Sequence, residues 1–171
     1  MLFRSRLAYV EETRDGAVNL VLHNLAAGDE FVLAENVRAE YLGPIRIFVT
    51  NNTVTWSEPA VSDGISKIVA MDLPGNTTRI LHDAVTGYLT GATDEHFITE
   101  EYVYRRDKRD RIVIRRYTAD GREKELADFV ATGLAGQSRV IGRYAAWVNP
   151  ERKIVLEPLD GHGDKISFRP F

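Results

Sequence analysis

One short pattern occurs four times along the chain. An apolar run centred on a valine is followed, six to eight residues later, by a glycine in a polar stretch. The central valines are 48, 44 and 42 residues apart, at Val21, Val69, Val113 and Val155. A period in the forties with strand-like composition is typical of blade-repeat proteins, the β-propellers. The repeat therefore predicts an all-β propeller of about four blades.

Other features recur in register with the valines. A strand that ends in an aromatic residue precedes each valine run, and these residues are Tyr9, Trp56, Tyr104 and Trp147. A third strand follows each turn glycine, and an inner element then begins near Tyr41, Tyr88 or Gly133. Small residues suit an inner strand, where neighbouring sheets converge on the axis. This order predicts four-stranded antiparallel blades at approximately 1–36, 37–84, 85–129 and 130–171, within one domain that spans 1–171.

Two segments of the second repeat carry a family resemblance. Residues 53–58 read Thr-Val-Thr-Trp-Ser-Glu, and residues 67–81 read Lys-Ile-Val-Ala-Met-Asp-Leu-Pro-Gly-Asn-Thr-Thr-Arg-Ile-Leu. The pattern resembles the repeats of TolB-type and YWTD-like propellers and extends over nearly the whole chain. The YWTD tetrapeptide and a Ser-Pro-Asp-Gly turn are both absent. The resemblance implies a propeller with a binding or scaffolding role, and it implies no particular ligand.

The blade count leaves the closure of the ring open. Only Met1, Leu2 and Phe3 precede the first aromatic strand in the alignment, where Phe3 matches Phe48, so we expect an incomplete first blade. The last repeat finishes on an outer strand near 165–168. Because unpaired strand edges invite association, three interpretations remain. The chain closes a small ring by itself, belongs to a larger propeller, or forms an eight-bladed ring as a homodimer.

Composition and charge narrow the classes of partner. The chain has 22 Lys and Arg against 25 Asp and Glu, a formal charge of −3, so we expect no nucleic-acid partner. No apolar run approaches the roughly 18 residues of a membrane helix, and no signal peptide is visible at the start. The compartment stays open. The absence of cysteine excludes disulfides, thiolate catalysis and Cys-ligated zinc.

The first candidate for ligand contact is a polar cluster of Asp94, Glu95 and His96. We place it in the inner-strand region of the third blade, where polar groups can line an axial channel. His23, His82 and His162 lack the local spacing of metal ligands, so we expect no metal site and no cofactor. Glu100 and Glu101 are adjacent in a predicted strand and point to opposite faces, so their sequence does not make them a catalytic pair.

The second candidate is a basic segment that contains Arg105, Arg106, Arg109 and Arg111. It has two interpretations. It is a solvated hairpin whose interleaved aspartates pair with its arginines, or it is a basic patch for an acidic protein or a polyanionic glycan.

The strong repeat and the lack of a catalytic motif favour a non-enzymatic binding or scaffolding module with a protein or polymer partner. Two alternatives remain. The chain is a propeller enzyme or an accessory domain of one, with lyase, glycan-active or peptidase-gating activity, or it is a structural ring component of an envelope or phage assembly.

Overall fold

The strands of the chain form four antiparallel sheets that follow one another in sequence. The computed structural model describes residues 6–14, 16, 18–35, 46–59, 65–103, 110–132 and 135–170. Each sheet consists of consecutive strands in chain order. Within these ranges there is no α-helix, and accordingly none that could span a membrane. This strand content confirms the all-β prediction. We call the four sheets, in chain order, the first to fourth blades.

The first blade has three strands among the described residues, and the others have four each. The first contains β1 (Arg6–Glu12), β2 (Val18–Asn24) and β3 (Asp29–Ala34). The second contains β4 (Ile47–Val49), β5 (Thr53–Pro59), β6 (Ser66–Asp72) and β7 (Thr77–Val85). The third contains β8 (Gly87–Ala92), β9 (His96–Val103), β10 (Arg111–Thr118) and β11 (Glu123–Val130). The fourth contains β12 (Gly136–Ile141), β13 (Tyr144–Val148), β14 (Ile154–Pro158) and β15 (Ile166–Phe168).

The valine runs form the third strand of each four-stranded blade and the middle one of the three described strands of the first blade, as the repeat predicts. They are β2, β6, β10 and β14. The inner element predicted near Tyr88 is β8. The inner elements expected at Tyr41 and Gly133 begin outside the described residues, as does Phe3, and the described inner strands there are β4 and β12.

The core lies in three seams between consecutive blades. Leu20 and Leu22 of the first blade pack with Trp56 and Val69 of the second. The seam between the second and third blades contains Ile68, Val85, Leu89, Phe97 and Tyr117. The seam between the third and fourth contains Ile98, Ile112, Ile114, Leu126, Ala145, Trp147, Val155 and Leu159. The hydrophobic effect therefore holds the blades together face to face.

Alternation along the valine strands decides which seam each residue enters. Val69 and Val155 pack against the preceding blade. Their neighbours in the equivalent strands, such as Ile68 and Ile112, pack against the following blade. Successive strand residues point to opposite faces, so the valine strands of the second and third blades, β6 and β10, each contribute to two seams.

The prediction that an aromatic residue pairs with each central valine is wrong for the third blade. Tyr9, Trp56 and Trp147 each pair with the central valine of their blade. In the third blade, Val113 pairs with Glu101, and Tyr104 lies outside the described residues. The sequence spacing predicted Tyr104 as the partner of Val113. Spacing alone does not show how many residues belong to the strands and how many to the turn that joins them. A carboxylate therefore occupies the position that holds tryptophan in two other blades.

Candidate functional site

Asp94 joins the second blade to the third at their turns. Its carboxylate accepts hydrogen bonds from the Thr50 hydroxyl, the Asn52 backbone N (2.9 Å) and Asn52 Nδ2 (3.0 Å). Thr53 Oγ1 lies 3.4 Å away as a fourth donor. Asp94 and Glu95 lie in the turn between β8 and β9, not in the inner strand where we placed them.

The Asp94 carboxylate is ionised and engaged by its own chain. Burial alone raises its pKa, but the hydrogen bonds from Thr50, Asn52 and Thr53 outweigh burial and bring the pKa below the ordinary value of 3.8. A carboxylate with this many internal donors has little capacity left for a ligand. Its position fits a contact between blades.

His96 is the first residue of β9. It is half-buried, and its backbone N donates a hydrogen bond to Thr93 Oγ1 (2.9 Å). Burial lowers the pKa of the imidazole, as does the nearby charge of Arg116, while Glu95 and Asp160 oppose the shift. His96 is therefore neutral at pH 7.

Little space is available beside these three residues. A cavity of about 10 Å³ is lined by Asp94, Glu95 and His96 together with Arg79 and neighbouring side chains, which is room for about one water molecule. Within the described ranges, no group of three or more His, Asp or Glu residues is arranged to hold a metal ion.

Two arginines contact the next blade in the same way. Arg79 Nη1 of the second blade donates to the Ala119 carbonyl of the third (3.3 Å). Arg116 Nη1 of the third blade donates to the Leu159 carbonyl of the fourth. Both carbonyls directly precede the Asp-Gly pair of a turn. The turns that contain Gly121 and Gly161 thus share one kind of contact with the preceding blade.

Glu100 is buried in the seam between the third and fourth blades. Its side chain accepts hydrogen bonds from the Ser138 backbone N (2.8 Å), Ser138 Oγ (3.1 Å) and Tyr102 Oη (3.1 Å). Thr90 Oγ1 lies 2.8 Å from Ser138 Oγ and extends the network to β8. Burial, followed by the charge of Glu100, raises the pKa of Tyr102 to about 12. Both oxygens of the buried carboxylate therefore accept hydrogen bonds, and the carboxylate connects β9 to β12.

Glu101 is also buried, on the face of β9 opposite to that of Glu100, because adjacent strand residues point to opposite faces. It accepts hydrogen bonds from Thr99 Oγ1 (2.9 Å) and Tyr117 Oη (3.1 Å), and it forms an ion pair with Arg115. Burial, followed by the charge of Glu101, raises the pKa of Tyr117. The two adjacent glutamates therefore serve separate networks. Sequence reasoning missed their structural use, because nothing local indicates which partners a buried carboxylate finds.

Arg111, the described residue of the basic segment, lies far from the cluster of Asp94, Glu95 and His96. Arg111 pairs with Val103 at the end of β9, whereas His96 begins that strand. Seven residues of extended chain span roughly 23 Å. Arg111 Nε is bonded to Asp128, and Arg105, Arg106 and Arg109 lie outside the described residues. Arg111 therefore does not belong to one site with Asp94, Glu95 and His96.

A larger cleft lies between the outer parts of the third and fourth blades. It encloses about 350 Å³ and is lined in part by Lys124, Glu157 and Lys165. Glu157 receives both lysines, at 2.8 Å and 3.1 Å. Burial tends to raise the pKa of Glu157, but the contacts with the two lysines outweigh it, so the pKa lies below its ordinary value. No sequence motif marks this cleft, since its residues come from two separate strands, β11 and β14, and from the connection between β14 and β15.

Comparison with known proteins supports the fold. No family model matches the chain, and no curated protein matches it significantly. A solved structure of an oligogalacturonate lyase in complex with manganese is similar over 96% of this chain and 49% of its own, with 14% identity and a TM-score of 0.60. The tricorn protease matches 89% of this chain and 14% of its own, with 15% identity and a TM-score of 0.47, too low to support an argument.

The chain is a β-propeller with four blade-like sheets. It spans about half the length of the lyase that it resembles. At this level of identity, the likeness establishes the fold alone.

Proposed function

We propose that the chain is a non-enzymatic binding or scaffolding module that presents the turns of its blades to a protein or polymer partner. The supporting observation is the use of charged side chains at the seams. Asp94, Glu100 and Arg116 each contact a neighbouring blade. Such contacts fix neighbouring blades relative to one another, and a preorganised surface loses less entropy on binding. The TolB-type or YWTD-like assignment belongs to this proposal.

The basic segment is the proposed contact surface. Arg111 is already bonded to Asp128, so Arg105, Arg106 and Arg109 would carry the interaction. Guanidinium groups bind carboxylates with two parallel hydrogen bonds. An acidic polysaccharide is therefore a suitable partner.

Polygalacturonate is the probe that tests this surface. We expect calorimetry at low salt to show binding that the double substitution Arg106→Glu and Arg109→Glu weakens by at least about tenfold. Arg122→Glu is the control, because Arg122 is exposed beyond the opposite end of β10 and should change the affinity by less than about threefold. Equal loss in the control, or no binding by the wild-type chain, would refute this surface.

A lyase-like enzyme is the second candidate, favoured by the structure of the oligogalacturonate lyase. The same probe separates it from a binding module. A lyase incubated with oligogalacturonate and Mn²⁺ would generate new unsaturated chain ends, detected by their ultraviolet absorbance. A binding module would return the probe intact, and we expect this second result.

A further inference from the structure

The fourth blade has an apolar face that no other blade of this chain covers within the described residues. In the first three blades, the valine-strand residues that face the following blade are at most 4% exposed; they are Leu20, Leu22, Ile68, Ala70, Ile112 and Ile114. Their counterparts in the fourth blade, Ile154 and Leu156, are only half-buried. The same strand positions thus lack the cover that the earlier blades have.

The outer strand shows the same difference. Phe129 of β11 pairs with Ile112 and packs into the seam with the fourth blade. Phe168 of β15 pairs with Ile154 in the equivalent position, yet it is 46% exposed. Ile166 beside it is 48% exposed. A contiguous apolar face of this kind marks an interaction surface.

The first blade has the complementary open face. Tyr9 occupies the position of Trp56 and Trp147, which are buried against their preceding blades, but Tyr9 is only half-buried. Val21 in the middle of this face is buried, whereas Leu7 and Val32 around it are 51% and 54% exposed. Its residues match those that face the preceding blade elsewhere, but among the described residues no blade covers them.

We propose that a second copy of the chain covers both faces, so that two chains form one eight-bladed ring. The fourth blade of each copy packs on the first blade of the other, in the same way as the three seams within the chain. The two contacts are related by a twofold axis, which closes the assembly. The faces also differ in charge, with Arg139 on the fourth blade and Glu11 on the first, where Glu30 is already bonded to Tyr9 and His23.

The length of the similar lyase agrees with this arrangement. Nearly all of this chain superposes on about half of that structure, as expected for an arc of blades within a larger ring. The inference does not depend on the proposed binding function.

Light scattering during size-exclusion chromatography tests the ring. We expect a mass of about 39 kDa, twice the 19.3 kDa of one chain. Ile166→Asp should weaken the dimer roughly 100-fold and give monomers at micromolar concentration, because it places a charge in an apolar seam. Ile80→Asp is the control, since Ile80 is 59% exposed on the outer strand of an internal blade, and it should remain dimeric. Circular dichroism confirms that both variants are folded.

Mixing two variants tests which faces meet. Leu7→Asp should also dissociate the dimer. A mixed pair of Leu7→Asp and Ile166→Asp contains one seam without either substitution, so mixing should partly restore the mass of a dimer. A monomeric wild-type chain at about 100 µM, an open series of larger species, or no recovery on mixing would overturn the proposal.

Discussion

The Asp94 carboxylate connects two blades through hydrogen bonds to Thr50, Asn52 and Thr53. Asp94→Ala should lower the free energy of unfolding by about 1–3 kcal/mol, because the donors on β5 and its preceding turn lose their acceptor. Urea denaturation measures this change. Glu95→Ala is the control, since Glu95 is exposed in the same turn, and it should change stability by less than about 0.5 kcal/mol. Equal stability of the two variants would contradict the assignment of Asp94.

The contribution of Asp94 to stability should depend on pH. Its pKa is lower in the folded chain than the ordinary 3.8, so ionisation favours folding above that value. The contribution is lost as the pH falls through the depressed folded pKa. The stability difference between the wild-type chain and Asp94→Asn should therefore be constant near neutral pH and shrink below about pH 4. A difference that grows on acidification would exclude this sign.

Glu101 and Arg115 form a partly buried pair, in which the glutamate side chain is 4% exposed and the arginine 25%. Glu101→Leu should destabilise the chain by about 2–3 kcal/mol, a value reduced for the exposure of Arg115. Adding Arg115→Met should recover part of this loss, because both charges are then removed from the seam. Thermal and urea unfolding of the single and double variants measure the coupling. A double variant that is less stable than Glu101→Leu would contradict a favourable interaction between Glu101 and Arg115.

At the scale of elements, the inner strands β8 and β12 approach each other closely. A Cβ on Gly91 would lie 2.5 Å from Val140 Cγ2 and 2.7 Å from the Val140 backbone N. Gly91→Ala should therefore cost about 1–3 kcal/mol. Val140→Ala should not rescue it, since the backbone contact remains.

Gly75→Ala provides the comparison for this prediction. Its added Cβ would meet only Thr77 Oγ1, at 3.3 Å, and a side chain can move. We expect a change in the midpoint of urea unfolding that is clearly smaller than that of Gly91→Ala. Similar midpoints for the two variants would mean that the inner strands separate readily.

The repeat predicted the elements better than it predicted the site. Valine strands and turn glycines follow local alternation and turn chemistry, so β2, β6, β10 and β14 were placed correctly. The aromatic register was wrong at Glu101, because pairing depends on the length of the hairpin. Asp94 was assigned to an inner strand, and its donors come from residues about forty positions earlier in the chain. Such contacts between blades leave no local pattern.

For the whole molecule, three seams of one kind connect four blades in series. The open faces at the first and fourth blades have the residue pattern of a further seam. A closed assembly would bury Phe168 and Leu7 in the way that the internal seams bury their equivalents. Exposed apolar surface of this extent would otherwise favour non-specific association.

Small-angle X-ray scattering tests the ring most directly, because it reports mass and shape together. We expect a particle of about 39 kDa, twice one chain, whose distance distribution has the single compact peak of one ring. A monomer, or a dimer of that mass with the extended distribution of two arcs joined at one face, would contradict it.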